Sequence, residues 1–198
     1  MYSPAIQKLI KAFSRFPTVG PRVASRFVFY LLQLSSDEIN DLISDIRSVR
    51  GLAKACSFCF NYFEGEGDLC DICKNPVRDK KLLCVVEKEA DLESLEKIKT
   101  YRGRYFILGG TVSTLKKSDI DKLRTKELQE TIKNNPEIEE LIIAINPTVE
   151  GQATTLYLER FLKNLGKKIS KLGLGLPLGG EVEYADEETL ASALENRK

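Results

Sequence analysis

The chain has 198 residues, of which 42% are hydrophobic and 30% are charged, and its formal net charge is +1. This composition is typical of a soluble globular protein, and no apolar run approaches the roughly 18 residues that a membrane-spanning helix needs. Because the chain has no histidine, Ser–His–Asp catalysis, Cys–His catalysis and histidine metal ligands are all excluded. The N-terminus lacks a charged-then-apolar signal pattern, so the expected compartment is the cytoplasm and no membrane contact is expected.

The charges are distributed unevenly along the chain. The first 36 residues contain no acid and five basic residues: Lys8, Lys11, Arg15, Arg22 and Arg26. Near the other end, five acids fall within residues 181–188. A basic first segment and an acidic last segment indicate an anionic partner at one end, although such a cluster is more often only a solvated face.

Two helices joined by a tight turn are predicted in the basic segment. Apolar residues at helical spacing predict an amphipathic helix over residues 4–14, and a second helix is predicted to follow Pro21. We expect Gly20 to take the positive φ of the turn. Arg22 and Arg26 lie one helical turn apart beside the free N–H groups of the second helix, which is a favourable position for a phosphate.

This pattern is typical of a helix-hairpin-helix, which grips the DNA backbone without reading bases. An ordinary packing corner between two helices is the alternative. The predicted DNA-binding residues are Arg22, Arg26, Lys11 and Arg15.

A third helix is predicted to begin with the capping box Ser35-Ser-Asp-Glu38. Its apolar stripe is expected to belong to the core. The stripe consists of Ile39, Leu42, Ile43, Ile46, Val49, Leu52 and Ala53.

Four cysteines follow as two Cys-x-x-Cys pairs, Cys56–Cys59 and Cys70–Cys73, separated by ten residues rich in turn formers. Two such pairs complete a tetrahedral shell with no open position, which predicts a structural Zn²⁺ site. A redox motif or a pair of disulfides are weaker alternatives. The fifth cysteine, Cys84, is expected to be a buried strand residue.

From residue 79 onward, apolar strands alternate with helices. The predicted strands are 82–86, 104–108, 141–145 and 168–174, and the predicted helices are 90–98, 119–133, 150–165 and 186–196. This alternation predicts an α/β fold with a mostly parallel sheet flanked by helices, behind a small all-α N-terminal module. Ligands of such sheets bind beyond the carboxyl ends of the strands, where Glu87 and Glu150 fall.

A Glu at the end of one strand and an acidic group after a later strand resemble the Toprim domain of topoisomerases, primases and some nucleases. The aspartates that hold Mg²⁺ in catalytic members correspond here to Asn146 and Thr148. Since Mg²⁺ depends on carboxylate oxygens, the site is expected to hold it poorly. A Mg²⁺-dependent nuclease or primase-like phosphotransferase that uses Glu87 and Glu150 remains the alternative function, and a passive structural DNA-binding protein is a third.

The whole order of motifs resembles the bacterial recombination-mediator family RecR. The shared motifs include Phe16-Pro-Thr-Val-Gly-Pro-Arg22, the four cysteines, Leu83-Cys-Val-Val-Glu87 and Asn146-Pro-Thr-Val-Glu-Gly151. The resemblance implies a non-enzymatic DNA-repair protein that forms homodimers and homotetrameric rings able to encircle DNA. It also implies action with RecO, and in many bacteria RecF, to load RecA onto single strands coated by single-strand-binding protein.

The resemblance also assigns residues. The DNA-contacting pair falls on Arg22 and Arg26, and the acidic partner-binding face falls on Glu87, Asp91 and Glu150. The chain departs from the family pattern at Gln152, where an acid is usual, and at Phe106, where histidine is usual. The expected segments are a DNA-binding helical segment at 1–54, a zinc finger at 55–75, a Toprim domain at 79–175 and a C-terminal turn and helix at 176–198.

The C-terminal segment Leu176-Pro-Leu-Gly-Gly-Glu181 has glycines that are also typical of nucleotide-binding loops. It lacks the Gly-Lys-Ser/Thr that cradles phosphates, and the five nearby acids would repel them. The favoured interpretation is a turn that returns the chain to the sheet or to a neighbouring subunit.

Overall fold

The computed structural model describes residues 2–112, 120–195 and 197. The chain divides into two compact units, Met1–Ala53 and Lys54–Lys198. Across the described ranges, no helix is both long enough and apolar enough to cross a membrane. The helices are α1 (Pro4–Phe13), α2 (Pro21–Leu31), α3 (Ser36–Leu52), α4 (Asp71–Lys74), α5 (Glu89–Lys97), α6 (Thr125–Asn134), α7 (Val149–Leu162) and α8 (Glu187–Glu195). The strands are β1 (Lys54–Ala55), β2 (Tyr62–Phe63), β3 (Asp79–Val86), β4 (Gly103–Ile107), β5 (Glu140–Ala144) and β6 (Lys168–Lys171).

The first unit contains the predicted pair of helices. α1 begins where Ser3 accepts a hydrogen bond from the Ile6 N–H, and Pro4 occupies its first turn. α1 and α2 pack through aromatic rings, with Phe13 and Phe27 centroids 6.0 Å apart in an edge-on arrangement. Aromatic side chains therefore hold α1 and α2 together on either side of the hairpin.

The turn between α1 and α2 differs from the prediction at Gly20. Its φ is −79° with ψ 169°, and the left-handed residue of the turn is Thr18, with φ 63°. Gly20 is the N-cap of α2, and a residue that precedes proline is held in the extended region. The predicted positive φ at Gly20 is therefore wrong, because the following Pro21 favours extended backbone at this position.

The third helix, α3, begins where it is predicted to begin, but its apolar side chains are more exposed than predicted. The Ser35 hydroxyl accepts a hydrogen bond from the Glu38 N–H, and the Glu38 carboxylate accepts one from the Ser35 N–H at 2.8 Å. However, α3 has no buried residue, and Ile46, Val49 and Leu52 are about 60% exposed. The assignment of this stripe to the core is wrong for the chain taken alone, because an apolar stripe does not say which surface covers it.

The second unit is built on a four-stranded sheet with the order β4-β3-β5-β6. All three strand pairs are parallel, which confirms the predicted sheet. β3 is central, with Val85 paired to Phe106 on one side and to Ile143 on the other. The carboxyl ends of β3 and β5 therefore lie side by side at one edge of the sheet.

Helices cover both faces of this sheet. Leu83 and Val85 point to one face, where Leu128 of α6 and Leu158 of α7 pack against them. Cys84 and Val86 point to the other face, which Leu92 of α5 covers. Because successive strand residues alternate between two buried faces, the segments 82–86 of β3 and 141–144 of β5 are apolar without a break. Cys84 is 3% exposed, as predicted, and burial raises the pKa of its thiol to about 12.

Several boundaries differ from the predictions. α6 begins at Thr125 because a turn closed by the hydrogen bond from the Leu123 N–H to the Ile120 carbonyl precedes it. β6 ends at Lys171, three residues early. A short 3₁₀ turn follows α7, and Gly166 ends it with φ 64°, in agreement with the predicted stop at that glycine. Residues 119 and 196, the predicted limits of two helices, lie outside the described residues.

Candidate metal centre and nucleic-acid interface

The two cysteine pairs form two short turns. In the first, the Phe60 N–H donates to the Cys56 carbonyl, and Phe60 adopts φ 65°. The antiparallel pairing of Ala55 with Tyr62 closes this turn from outside. In the second, Cys70 is the N-cap of α4, and the Lys74 N–H donates to its carbonyl. Each turn therefore presents two sulfurs on one side.

All four sulfurs of Cys56, Cys59, Cys70 and Cys73 lie within 4.8 Å of one another. The Cys59 and Cys70 sulfurs are 3.5 Å apart, and a tetrahedral zinc site with 2.3 Å bonds requires sulfurs about 3.8 Å apart. The cysteines are free, and all except Cys73 are buried. The arrangement is compatible with a structural metal ion bound by four thiolates.

Backbone groups and mutual contact shape the electrostatics of this cluster. The Asn61 N–H lies 3.5 Å from the Cys59 sulfur, and the Cys70 N–H lies 3.4 Å from the Cys56 sulfur. Contact with the Cys56 sulfur raises the pKa of Cys59 and of Cys73. Four crowded thiolates require a cation to balance their charge, and backbone N–H donors of this kind commonly support the ligands of such an ion.

The first cysteine turn is attached to the sheet. The Ile107 N–H donates a 2.9 Å hydrogen bond to the Cys59 carbonyl, so the turn covers the outer side of the edge strand β4. Phe58 and Phe60, which flank Cys59, pack against the sheet core. The cysteine module and the sheet thus share one apolar interior.

In the N-terminal unit, the four predicted DNA-binding residues are all exposed. Arg22 and Arg26 lie on the first turns of α2, whose N-cap Gly20 contributes no side-chain hydrogen bond. Within the described residues neither guanidinium has an ion-pair or hydrogen-bond partner. Lys11 and Arg15 lie at the end of α1 and just after it. Whether these residues contact DNA stays a prediction.

At the carboxyl ends of β3 and β5, the side-chain amide of Asn146 lies beside the carboxylate of Glu87. The Asn146 Nδ2 donates a 3.1 Å hydrogen bond to the Glu87 carboxylate. Asp91 accepts a hydrogen bond from the Lys88 N–H at the start of α5, and Glu150 is exposed in the first turn of α7. In the part of the chain that the structure describes, these three carboxylates do not form a group close enough to hold a metal ion.

Comparison with known proteins decides the family. Models of "RecR, helix-hairpin-helix", "Toprim domain" and "RecR, C-terminal" match residues 6–50, 81–173 and 175–198. A "Recombination protein RecR" from Clostridium perfringens is 39% identical over 99% of this chain and 97% of its own length. One from Paenarthrobacter aurescens is 40% identical over 100% of this chain and 98% of its own length. The chain belongs to the RecR family. This membership supports a role in recombinational DNA repair.

Phe106 and Gln152, which are expected to differ from the usual residues of the family, have distinct surroundings. Phe106 is fully buried and packs edge-on against Phe60 at 5.3 Å, which makes it a core residue. The Gln152 Nε2 lies 3.3 Å from the Glu188 carboxylate of α8. An acid at position 152 would repel Glu188, so the glutamine suits this contact.

Proposed function

We propose that this RecR-family protein is a non-enzymatic DNA-binding clamp and adaptor in recombinational repair. In this role it helps RecO, and RecF where present, to load RecA onto single-stranded DNA coated by single-strand-binding protein. The proposed site of action is the bacterial cytoplasm, where the chromosome lies.

The exposed, unpaired arginines of α2 are the observation that carries this proposal. Arg22 and Arg26 have no partner among the described residues, so their full charge is available to an anion. They lie beside free backbone N–H groups of a helix N-terminus. Such contacts bind phosphates of single- or double-stranded DNA in any sequence, which is what a clamp requires. Lys11 and Arg15 are assigned to the same surface.

The four cysteines are assigned a structural Zn²⁺. A closed set of four sulfur ligands leaves no position for a substrate or an activated water molecule. The ion would add stability to the module and take no part in a reaction.

The hydrogen bond between Asn146 and Glu87 favours a non-enzymatic role for the Toprim edge. The amide uses a carboxylate oxygen that a catalytic Toprim site offers to Mg²⁺. A neutral amide also brings none of the negative charge that draws Mg²⁺ into such a site. We assign Glu87, Asp91 and Glu150 instead to contact with a basic surface of RecO.

Exposed apolar surfaces suit the proposed homodimer and homotetramer ring. The stripe of α3 is uncovered, and so are Leu178, Val182 and Tyr184 in the C-terminal segment. Exposed apolar residues at both ends of the chain fit the two kinds of subunit contact that a dimer of dimers requires. The boundaries 1–54, 55–75, 79–175 and 176–198 are proposed for the corresponding segments.

A reconstituted loading reaction tests the proposal. RecA ATPase activity on single-stranded DNA coated by single-strand-binding protein is measured with RecO, in the presence and absence of this protein. We expect a shorter lag when it is present, and no gain with the Glu87→Gln/Glu150→Gln variant. Glu93→Gln is the matched control, because Glu93 is an exposed acid of α5 whose ion-pair partner is Lys97 of the same helix. An unchanged lag with the wild-type protein would contradict the loading role.

A further inference from the structure

Each phenylalanine beside Cys59 is covered by an arginine of the Toprim domain. The guanidinium carbon of Arg104 lies 4.3 Å from the ring centroid of Phe58, and that of Arg124 lies 4.9 Å from the centroid of Phe60. Both distances are well within the range of cation–π contacts, which strengthen when the cation is shielded from water.

Arg104 is held in place by groups other than the ring it covers. It is 7% exposed, and its Nη2 donates to the Lys80 carbonyl at 3.2 Å and to the Glu137 carboxylate at 3.1 Å. The guanidinium is thus fixed by β3 and by the loop before β5. Phe58 docks against a cation whose position does not depend on the cysteine module.

Arg124 is fixed in a similar way on the other side of Cys59. Its Nη1 donates to the Ile107 carbonyl at 3.0 Å, and its backbone N–H donates to the Leu108 carbonyl. Phe60 lies between this guanidinium and the buried ring of Phe106. Cys59 itself is anchored by the hydrogen bond from the Ile107 N–H.

We propose that Arg104 and Arg124 are positioning residues of the metal centre, which clamp the first cysteine turn against β4 and thereby slow the release of the metal ion. The inference rests on the proposed Zn²⁺. Because Cys56 and Cys59 are fully buried, local opening of this turn is needed to free an ion from their two sulfurs. Each Arg–Phe contact must break in that opening, so each contact lowers the population of the open state.

The clamp has a second consequence for β4. This strand is at the edge of the sheet, and the Cys59 carbonyl satisfies its Ile107 N–H. Opening of the cysteine turn exposes an unpaired strand edge, which is a template for association with other chains. The two arginines therefore also protect the sheet edge.

The test compares the rate of Zn²⁺ transfer to a chromophoric chelator under native conditions with the thermal midpoint. Phe58→Leu removes the aromatic face and keeps an apolar side chain, and Arg104→Lys keeps the charge but loses the planar stacking group. We expect each variant to release Zn²⁺ about fivefold to thirtyfold faster, the factor that a shielded cation–π contact provides. The double variant should release it no faster than the quicker single variant, because both substitutions remove one contact.

Phe161→Leu is the matched control. Phe161 stacks on Tyr157 against the same apolar core. Among the described residues it is not one of the side chains packed on the buried cysteines, and its ring is not one of those that the two arginines cover. It should lower the thermal midpoint and leave the release rate unchanged. Equal release rates in Phe58→Leu and Phe161→Leu, or additive effects in the double variant, would overturn the clamp. If Arg104→Lys does not fold, the same comparison of two single variants with their double variant is made at the second contact, with Phe60→Leu and Arg124→Lys. A wild-type protein purified without Zn²⁺ would instead contradict the proposed metal.

Discussion

The basic hairpin gives the most quantitative prediction. Replacing Arg22 and Arg26 together with alanine removes two exposed charges that have no partner among the described residues. Since no internal ion pair or hydrogen bond is lost, the folded state should be nearly as stable as the wild type. Any loss of DNA affinity is then a loss of contact with DNA.

The expected magnitude follows from counterion release. Each phosphate contact contributes a slope of about −0.9 to the dependence of log affinity on log salt for duplex DNA, and about −0.7 for single strands. Loss of two contacts should flatten the slope by about 1.8 for duplex DNA. A fourfold increase in salt should therefore weaken wild-type binding about twelvefold more than it weakens binding by the variant.

Fluorescence anisotropy with labelled oligonucleotides at four or more salt concentrations measures this slope. Two unrelated sequences should give the same change, because backbone contacts carry no base information. The matched control is Arg47→Ala/Arg50→Ala, which removes two exposed arginines of α3 in the same unit and should leave more of the slope intact. A slope equal to that of the wild type, or an equal flattening in both double variants, would refute the assignment of the hairpin as the DNA contact.

Three further outcomes are expected. Cys70→Ser should lower bound Zn²⁺, measured by mass spectrometry, together with the thermal midpoint, since metal binding and folding of this module are linked; a zinc-free variant of unchanged stability would contradict this. A 2.6 Å hydrogen bond from Ser170 lowers the pKa of the Glu140 carboxyl group, and Lys168 lowers it further. Glu140 therefore stabilises the folded state at pH values above its unfolded pKa, and this stabilisation is lost as the pH falls through the lower pKa of the folded state. Glu140→Gln should therefore flatten the acid limb of stability against pH in denaturant titrations, and an unaltered limb would count against it. Gly151→Ala should destabilise the protein by about 1–3 kcal/mol in the same assay, because its Cβ would stand 1.8 Å from the Asn146 carbonyl oxygen; wild-type stability would show that the backbone there yields easily.

Local sequence signals predict local structure well in this chain. The spacing of the four cysteines predicts the sulfur cluster, because two residues between ligands suffice to form each turn. Ser35 and Glu38 predict the start of α3, since both partners of a capping box lie within one turn. Apolar runs flanked by helices predict the parallel sheet, because only a sheet covered on both faces needs strands without polar residues.

The failures arise where a group other than the residue or stripe that carries the signal determines the outcome. The stripe of α3 is regular, but its periodicity does not identify a partner surface, and the chain leaves Ile46 and Val49 exposed. The conformational freedom of Gly20 predicts the positive φ there, whereas the following proline favours the extended conformation that Gly20 adopts.

The contacts around Cys59 are a further example, and no prediction was made for them. Phe58 and Arg104, and likewise Phe60 and Arg124, meet only after the sheet has formed. The sequence does contain one signal for this contact, which is Arg104 at the start of a buried strand. A buried charge requires partners, so the sequence indicates that Arg104 has them. The contact of Arg104 with Phe58 depends on the tertiary structure, and the spacing of residues along the chain does not predict it.

The central claim, that this protein is a clamp on DNA and does not cut it, is tested most directly by incubation with closed-circular and linear DNA of the same length in Mg²⁺. Retention and strand integrity are scored in the same samples. We expect intact DNA, with the protein retained on circles and lost from the free ends of linear molecules. Nicked or cut DNA, with cleavage abolished by Glu87→Ala, would show that the Toprim edge is catalytic and would contradict the proposed clamp.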